Sequence, residues 1–254
     1  MSFDPVSRLD GKVAVITGGL GAIGHATAVR LAALGATCVL LHRKADDAAA
    51  RAAALPSATH QRHAAIRADI VDSASLAAAA AEVKATHGRC DILVNSAGHT
   101  QPVPAADLDA LTDELIDDIV RANFRGVFAT IRAFAPMLKA SGDALVVNIS
   151  SIAGFTGVGS NLAYVAAKAG LDVVGDALAK ALAPAVRVVS VSPGAVESGF
   201  VPGRGAEFAG KMASTTPLGR IGKPDDVAAT VEALATTLRF VTGTRIVVDG
   251  GRHL

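Results

Sequence analysis

The chain is poor in several things, and each shortage removes a class of protein. Among 254 residues only two cysteines occur, Cys38 and Cys90. Neither has a C-x-x-C or histidine-paired spacing, so both are expected as buried, reduced thiols. Charge of either sign is also in short supply: 24 Lys and Arg face 23 Asp and Glu, a formal net charge of +1, with no run of Lys or Arg. Such a balance offers no electrostatic footprint for nucleic acid or anionic lipid. No stretch approaches the roughly 18 continuous apolar residues of a membrane span, and the opening "MSFDPVSRLDG" has no apolar signal core. We therefore expect a soluble, cytoplasmic protein with no nucleic-acid or membrane partner. Pro- or Ser-rich linkers and internal repeats are absent too, which points to a single domain over residues 1–254. His42, His60, His63, His87, His99 and His253 form no cluster with metal-ligand spacing, so no metal is expected. The neighbours His60 and His63 read as a solvated loop.

What is present is a regular alternation. Short apolar runs "KVAVIT", "TCVLLH", "AAIRAD", "DILVNS", "ALVVNIS", "VRVVSVS" and "RIVVD" are separated by helical stretches. That pattern predicts α/β architecture: a Rossmann-type, doubly wound parallel sheet of about seven strands with helices on both faces. The runs are apolar at nearly every position, as strands covered on both sides require. Cys38 falls within one run and Cys90 just before another. Alanine-rich "SASLAAAAAEVKATHG" reads as a helix started by Ser73 as its cap. With 51% apolar residues the chain can bury one large core.

Two stretches carry chemistry. The first strand runs into "TGGLGAIG" and then into the helical pattern "IGHATAVRLAALG". Gly19, Gly21 and Gly24 have the spacing G-x-G-x-x-G, which permits a tight turn and brings backbone amides to a pyrophosphate at a helix N-terminus. In "AYVAAKAG", Tyr164 and Lys168 stand four apart and share one helix face. By itself that spacing could be an ordinary exposed pair.

The same residues fit a larger pattern. "TGGLGAIG" also reads as T-G-x-x-x-G-x-G; "NSAG" (95–98) follows the fourth strand; "RANFRGVF" holds an N-x-x-G at Asn123; Ser151 precedes Tyr164 by thirteen residues. "SPGAVES", "PLGRIGKPDDVA" and "VTGTRIVVDGG" complete the series. Over roughly Leu9 to Gly251 the chain resembles the short-chain dehydrogenase/reductases. It departs from that pattern at Ala22 (second motif glycine), Ser96 (second Asn of N-N-A-G), Ala167 and Ser198. The resemblance implies a catalytic set of Asn123, Ser151, Tyr164 and Lys168. It implies cofactor contacts from Gly18, Gly19, Gly21, Ile23 and Gly24, from His42, Arg43, Asp69 and Ile70, from Asn95, Ala97 and Gly98, from Tyr164 and Lys168, and from Pro193, Gly194, Val196 and Ser198. Lys168 would bond the nicotinamide ribose, and Asn123 would hold a relay water.

The chemistry suits those residue types. A phenol of reference pKa near 10 exchanges protons poorly at neutral pH, and an ammonium on the same helix face favours its ionised form. Tyr164 would then pass a proton to or from the substrate oxygen while Ser151 holds that oxygen by a hydrogen bond. At the end of the second strand, where an NAD-preferring relative would place an acid, stand His42, Arg43 and Lys44. Positive charge there suits a 2′-phosphate, so NADP(H) is expected ahead of NAD(H). The alternative is that Arg43 and Lys44 are merely solvated, neutralised by Asp46 and Asp47. Asp69 resembles the family residue beside adenine, or simply caps a strand end.

Function is expected to be hydride transfer between a nicotinamide and a ketone or secondary alcohol, as a carbonyl reductase. Reduction of a 3-oxoacyl-acyl-carrier-protein is an alternative; a non-catalytic dinucleotide sensor or scaffold is another. Phe155, Phe200, Val201, Phe208 and Met212 either line an apolar substrate pocket or pack into the core. Small and apolar residues at helical spacing, Ala166, Ala169, Gly170, Val173, Val174 and Ala177, suggest that two subunits pair these helices, or else that the helix is buried beneath the chain's own fold; the family resemblance implies a homotetramer.

Overall fold

The computed structural model describes residues 8–43, 46–57, 61–203 and 205–254; Lys44 and His60 lie outside the described residues. Strands β1 (Val13–Thr17), β2 (Thr37–His42), β3 (Ala64–Arg67), β4 (Ile92–Asn95), β5 (Ala144–Ile149), β6 (Val186–Pro193) and β7 (Thr244–Val248) coincide with the seven apolar runs. They form one seven-stranded sheet of order β3-β2-β1-β4-β5-β6-β7, parallel throughout. Among the described residues the helices are α1 (Ala22–Ala33), α2 (Ala48–Ala53), α3 (Ser73–His87), α4 (Asp113–Val120), α5 (Gly126–Ser141), α6 (Ala153–Thr156), α7 (Leu162–Leu182), α8 (Ala206–Ser214) and α9 (Pro224–Thr236). No described helix is long and apolar enough to cross a membrane.

Continuous apolarity of the strands has its cause in two cores. On one face Ala14, Ile16 and Leu40 pack with Leu31 of α1 and Val227, Val231 and Leu234 of α9. On the other, Val13, Val15 and Leu93 pack with Val83 of α3, Phe134 of α5 and Leu171 of α7. Each fully buried leucine among them contributes about 2 kcal/mol relative to exposure. Both cysteines are buried and free, and burial pushes the Cys38 thiol up to about 12.

The α7 face has one polar row. Thr17, Asn95, Asn148, Ser190 and Arg245 stand in register across β1, β4, β5, β6 and β7. Asn95 donates from Nδ2 to Asn148 Oδ1 at 2.9 Å. The row runs beneath the helix that carries Tyr164 and Lys168.

Two local expectations are corrected. The cap of α3 is Asp72, not Ser73: the Asp72 carboxylate accepts the Ala74 N–H at 2.9 Å, and Ser73 is already helical. A carboxylate at this end also answers the helix dipole. His63 is not a freely solvated loop residue. Its Nδ1 accepts the Cys38 N–H at 3.0 Å and its Nε2 donates to Pro56 O at 3.0 Å, so a neutral imidazole stitches β2 to the chain that follows α2.

Candidate active site

Strand order reverses between β1 and β4, and at such a switch point the loops leaving the strands part to form a crevice. A cleft of about 1330 Å³ opens there, over the carboxyl ends of the strands.

One wall is the glycine turn. Gly18 has φ +63, and a Cβ on it would lie 2.9 Å from Ala97 Cα; a Cβ on Gly24 would lie 2.3 Å from Gly18 O. The first glycine thus lets β1 turn against the loop after β4, and the last lets α1 press onto that turn. Thr17 Oγ1 locks the arrangement by accepting the N–H groups of Ser96 and Ala97, each at 3.1 Å. Gly21 caps α1 with no side-chain cap, and Ala22, as the first helical residue, carries its methyl without disturbing the path. The N-terminus of α1 therefore lies on the cleft wall, where its free amides could hold an anion. Gly18, Gly21 and Ile23 line the cleft; Gly19 packs on Leu40 and Gly24 behind the turn.

His42, Arg43, Asp69, Ile70, Ala97 and Gly98 continue the lining. Arg43 is exposed at the rim, and His42 keeps its Nδ1 buried without a hydrogen-bond partner among the described residues. Asp69 accepts the Val71 N–H at 3.0 Å, so its carboxylate also ties its own turn. Asn95 lies outside the lining, its amide turned into the sheet toward Asn148. Asp46 and Asp47 are exposed just before α2.

The opposite wall brings Ser151, Tyr164 and Lys168 together. Tyr164, the only tyrosine, and Lys168 are 8% and 4% exposed, which rules out an ordinary surface pair. Lys168 Nζ sits 5.5 Å from the Tyr164 ring centroid and donates to Ile149 O at 2.8 Å. Burial pulls its ammonium down to about 8, against the opposing attraction of Asp172. Ser151 Oγ accepts the Ala153 N–H at 3.1 Å, which leaves its own proton to donate elsewhere.

Asn123 sits behind this wall in a π-helical turn, Arg121–Arg125, between α4 and α5. Its Nδ2 donates to Ile119 O at 3.0 Å and to His99 O at 2.7 Å. By taking the carbonyl four residues back, the side chain occupies an acceptor of the widened turn, and such bulges concentrate at functional sites. Its Oδ1 is buried without a partner among the described residues. Gly126 completes N-x-x-G because a Cβ there would lie 3.0 Å from Ile70 O.

At the end of β6 and just beyond it, Pro193, Gly194, Val196 and Ser198 line the cleft. A Cβ on Gly194 would lie 2.7 Å from Asp249 Cβ, so only glycine fits. Phe200, Val201, Phe208 and Met212 face the cleft; Phe155 does not. Phe155 instead meets His253 edge-on at 5.6 Å, with the Arg245 guanidinium 4.7 Å from its ring. A cationic partner on β7 draws the ring away from the cleft.

Sequence reasoning passed over Asn161. Its Oδ1 accepts the Tyr164 N–H at 2.7 Å, capping α7, while its Nδ2 reaches Thr100 Oγ1 and Gln101 O at 3.2 and 2.7 Å. One side chain thus fixes both the helix start and the loop after β4. An Asn directly before an apolar helical run was the available signal. Asp118, bonded to His99 at 2.6 Å on the cleft wall, and Arg252 and His253 from the chain end were also passed over.

A sequence model of the family described as enoyl-(acyl carrier protein) reductase matches residues 19–253. A Streptomyces violaceoruber protein named as a ketoacyl reductase of the granaticin polyketide synthase is 38% identical over 248 residues, covering 96% of this chain and 97% of that protein. The 3-oxoacyl-[acyl-carrier-protein] reductase of Thermotoga maritima is 33% identical over 252 residues, covering 96% and 98%. A solved Brucella melitensis short-chain dehydrogenase/reductase, named glucose/ribitol dehydrogenase, matches with a TM-score of 0.90 at 30% identity, covering 99% of this chain and 100% of that one.

Proposed function

Because this chain belongs to the short-chain dehydrogenase/reductase family, enzymes that use a nicotinamide cofactor on alcohol or ketone groups, we propose that it is a cytoplasmic, NADPH-dependent carbonyl reductase. The observation that carries this reading is the burial of the Lys168 ammonium beside Tyr164, on the wall of a cleft whose other wall is a glycine cradle.

When bound, the nicotinamide supplies hydride in reduction and accepts it in oxidation. The chain supplies the proton and the field. Tyr164 Oη protonates the carbonyl oxygen in reduction and takes the hydroxyl proton in oxidation, with the Lys168 charge stabilising tyrosinate. Ser151 donates to the same oxygen, an interaction that strengthens as negative charge develops there. Asn123 Oδ1, buried and unpartnered among the described residues, is suited to accept from a water that hands protons to Lys168. The N-terminal amides of α1 would hold the pyrophosphate. His42 and Arg43 would receive a 2′-phosphate, because the described end of β2 offers the Arg43 guanidinium and no acid.

Phe200, Val201, Phe208 and Met212 suit a ketone or secondary alcohol of modest polarity. A 3-oxoacyl thioester on acyl carrier protein is a second reading, supported by the names of the Streptomyces and Thermotoga relatives. Loss of catalytic groups would favour a sensor or scaffold, but all four are present. A panel of ketones, alcohols and 3-oxoacyl thioesters run with NADPH and NADH tests the proposal. Turnover of simple ketones with NADPH supports it, whereas tight NADPH binding without turnover of any member overturns it.

The assembly we propose is a homotetramer. Leu162 and Val173 are 40% and 69% exposed, and Ala166 and Ala177 are exposed with them on α7. An apolar stripe around Gly170 that the chain itself leaves uncovered suits pairing with a second copy.

A further inference from the structure

Asp172 lies on α7 one turn beyond Lys168, 4% exposed, and neither of its carboxylate oxygens has a hydrogen-bond partner among the described residues. An ionised carboxylate in such a place is costly unless cations answer it. Two do. Arg245 of β7, the last member of the polar row, brings NH1 to 3.6 Å from Asp172 Oδ2. Lys168, four residues back on the same face, is the other, at a spacing that holds Cβ atoms about 5–6 Å apart. The Arg245 guanidinium is itself propped 4.7 Å from the Phe155 ring.

The remaining groups around this seam add little charge. From β5 and β6 it receives Asn148 and Ser190, whose polar atoms lie 3.5 and 3.6 Å from a Cβ built on Gly175. On α7 itself Tyr164 precedes Lys168, while Asp176 and Lys180 are exposed. From the segments packed on α7, Asp118 is paired with His99, Arg121 is exposed and Arg125 donates to Val71 O. Beyond Phe155, His253 is bonded to Asp249.

We propose that Asp172 is a positioning residue of the active site: a buried carboxylate, gripped from the edge strand by Arg245, that keeps the Lys168 ammonium charged beside Tyr164. This rests on the roles proposed above for Tyr164 and Lys168. Attraction to Asp172 opposes the effect of burial on Lys168, as the geometry requires. Without the anion Lys168 would lose its proton at lower pH, and tyrosinate would lose its counter-charge.

The test uses the full chain with ¹⁵N-labelled lysine, following the Lys168 Nζ resonance, assigned by its loss in Lys168→Met. In Asp172→Asn, which keeps volume and hydrogen-bonding atoms, the Lys168 midpoint is expected to fall by about one pH unit, a tenfold loss of proton affinity. Arg245→Gln removes a like charge that competes for the same carboxylate, so it should move the midpoint upward; it serves as the second variant if Asp172→Asn does not fold. Asp172→Glu should restore most of what Asp172→Asn loses. In Asp172→Asn the rising limb of the pH profile for alcohol oxidation should move upward, because tyrosinate loses its counter-charge. An unmoved Lys168 midpoint in either folded variant overturns the proposal, as does a loss of turnover equal at every pH. The resonance reads without turnover, so failure to find any substrate would count against the proposed function and leave this test standing.

Discussion

Replacing Gly98 by alanine tests whether the Asn123 amide is a fixed part of the site. Gly98 does not have a positive φ, so the backbone itself tolerates alanine. The cost comes from contact: a Cβ there would lie 2.4 Å from Asn123 Oδ1 and 3.4 Å from its Cγ. Asn123 is fully buried, so its amide can yield only by breaking the bonds to His99 O and Ile119 O. Two such bonds contribute about 1 kcal/mol each, and acceptors left unpaired add to the loss, for a total of about 2–4 kcal/mol. For a chain of this length that lowers Tm by roughly 5–15 °C. Asn123→Ala removes the same bonds and the obstructing oxygen together, so adding Gly98→Ala to it should cost almost nothing further. Denaturant unfolding at fixed protein concentration therefore gives a double-mutant coupling of about 2 kcal/mol. Additivity of the two changes to within about 0.5 kcal/mol would refute the reasoning.

Arg43→Asp should lower kcat/KM for NADPH by about 10- to 100-fold, the value of a charged hydrogen bond to phosphate, and leave NADH nearly unchanged; equal losses with both cofactors would contradict it. Light scattering should find four times the 25.5 kDa chain mass for the natural protein and a smaller species for Gly170→Arg, while a monodisperse 25.5 kDa wild type would end the assembly proposal. Burial lowers His63 below the usual histidine value, so its contribution to stability is complete above about pH 6.5 and declines as pH falls below that. The Tm loss between pH 7.5 and 5.5 should accordingly be smaller in His63→Asn, whose amide oxygen can still accept the Cys38 N–H without titrating; an equal loss would show that His63 stays neutral or does not matter.

The sheet was legible because covering on both faces forces near-continuous apolarity, and the seven runs reappear as seven strands. Gly18, Tyr164, Lys168 and Ser151 were legible because they recur at fixed spacings in a recognisable order. What lay hidden depends on contacts between distant segments. Asn161 ties the start of α7 to the loop after β4 across some sixty residues. The Asp172–Arg245 pair joins a helix to the edge strand, and no local pattern marks it. Phe155 was placed by an arginine on β7 that a pattern reading does not associate with it. Ser73 lost its cap role to the carboxylate one residue earlier, a competition within the ordinary uncertainty of helix ends.

The central claim is that Tyr164 moves the proton in a hydride-transfer reaction, and Tyr164→Phe tests it most directly. The substitution keeps the ring and removes only the hydroxyl that carries the exchangeable proton. NADPH affinity, read by fluorescence titration, should stay within a factor of two or so, while kcat for the best ketone of the panel falls by roughly 10²- to 10⁴-fold, the usual contribution of a positioned general acid. Retention of kcat to within tenfold of the natural protein would contradict the account.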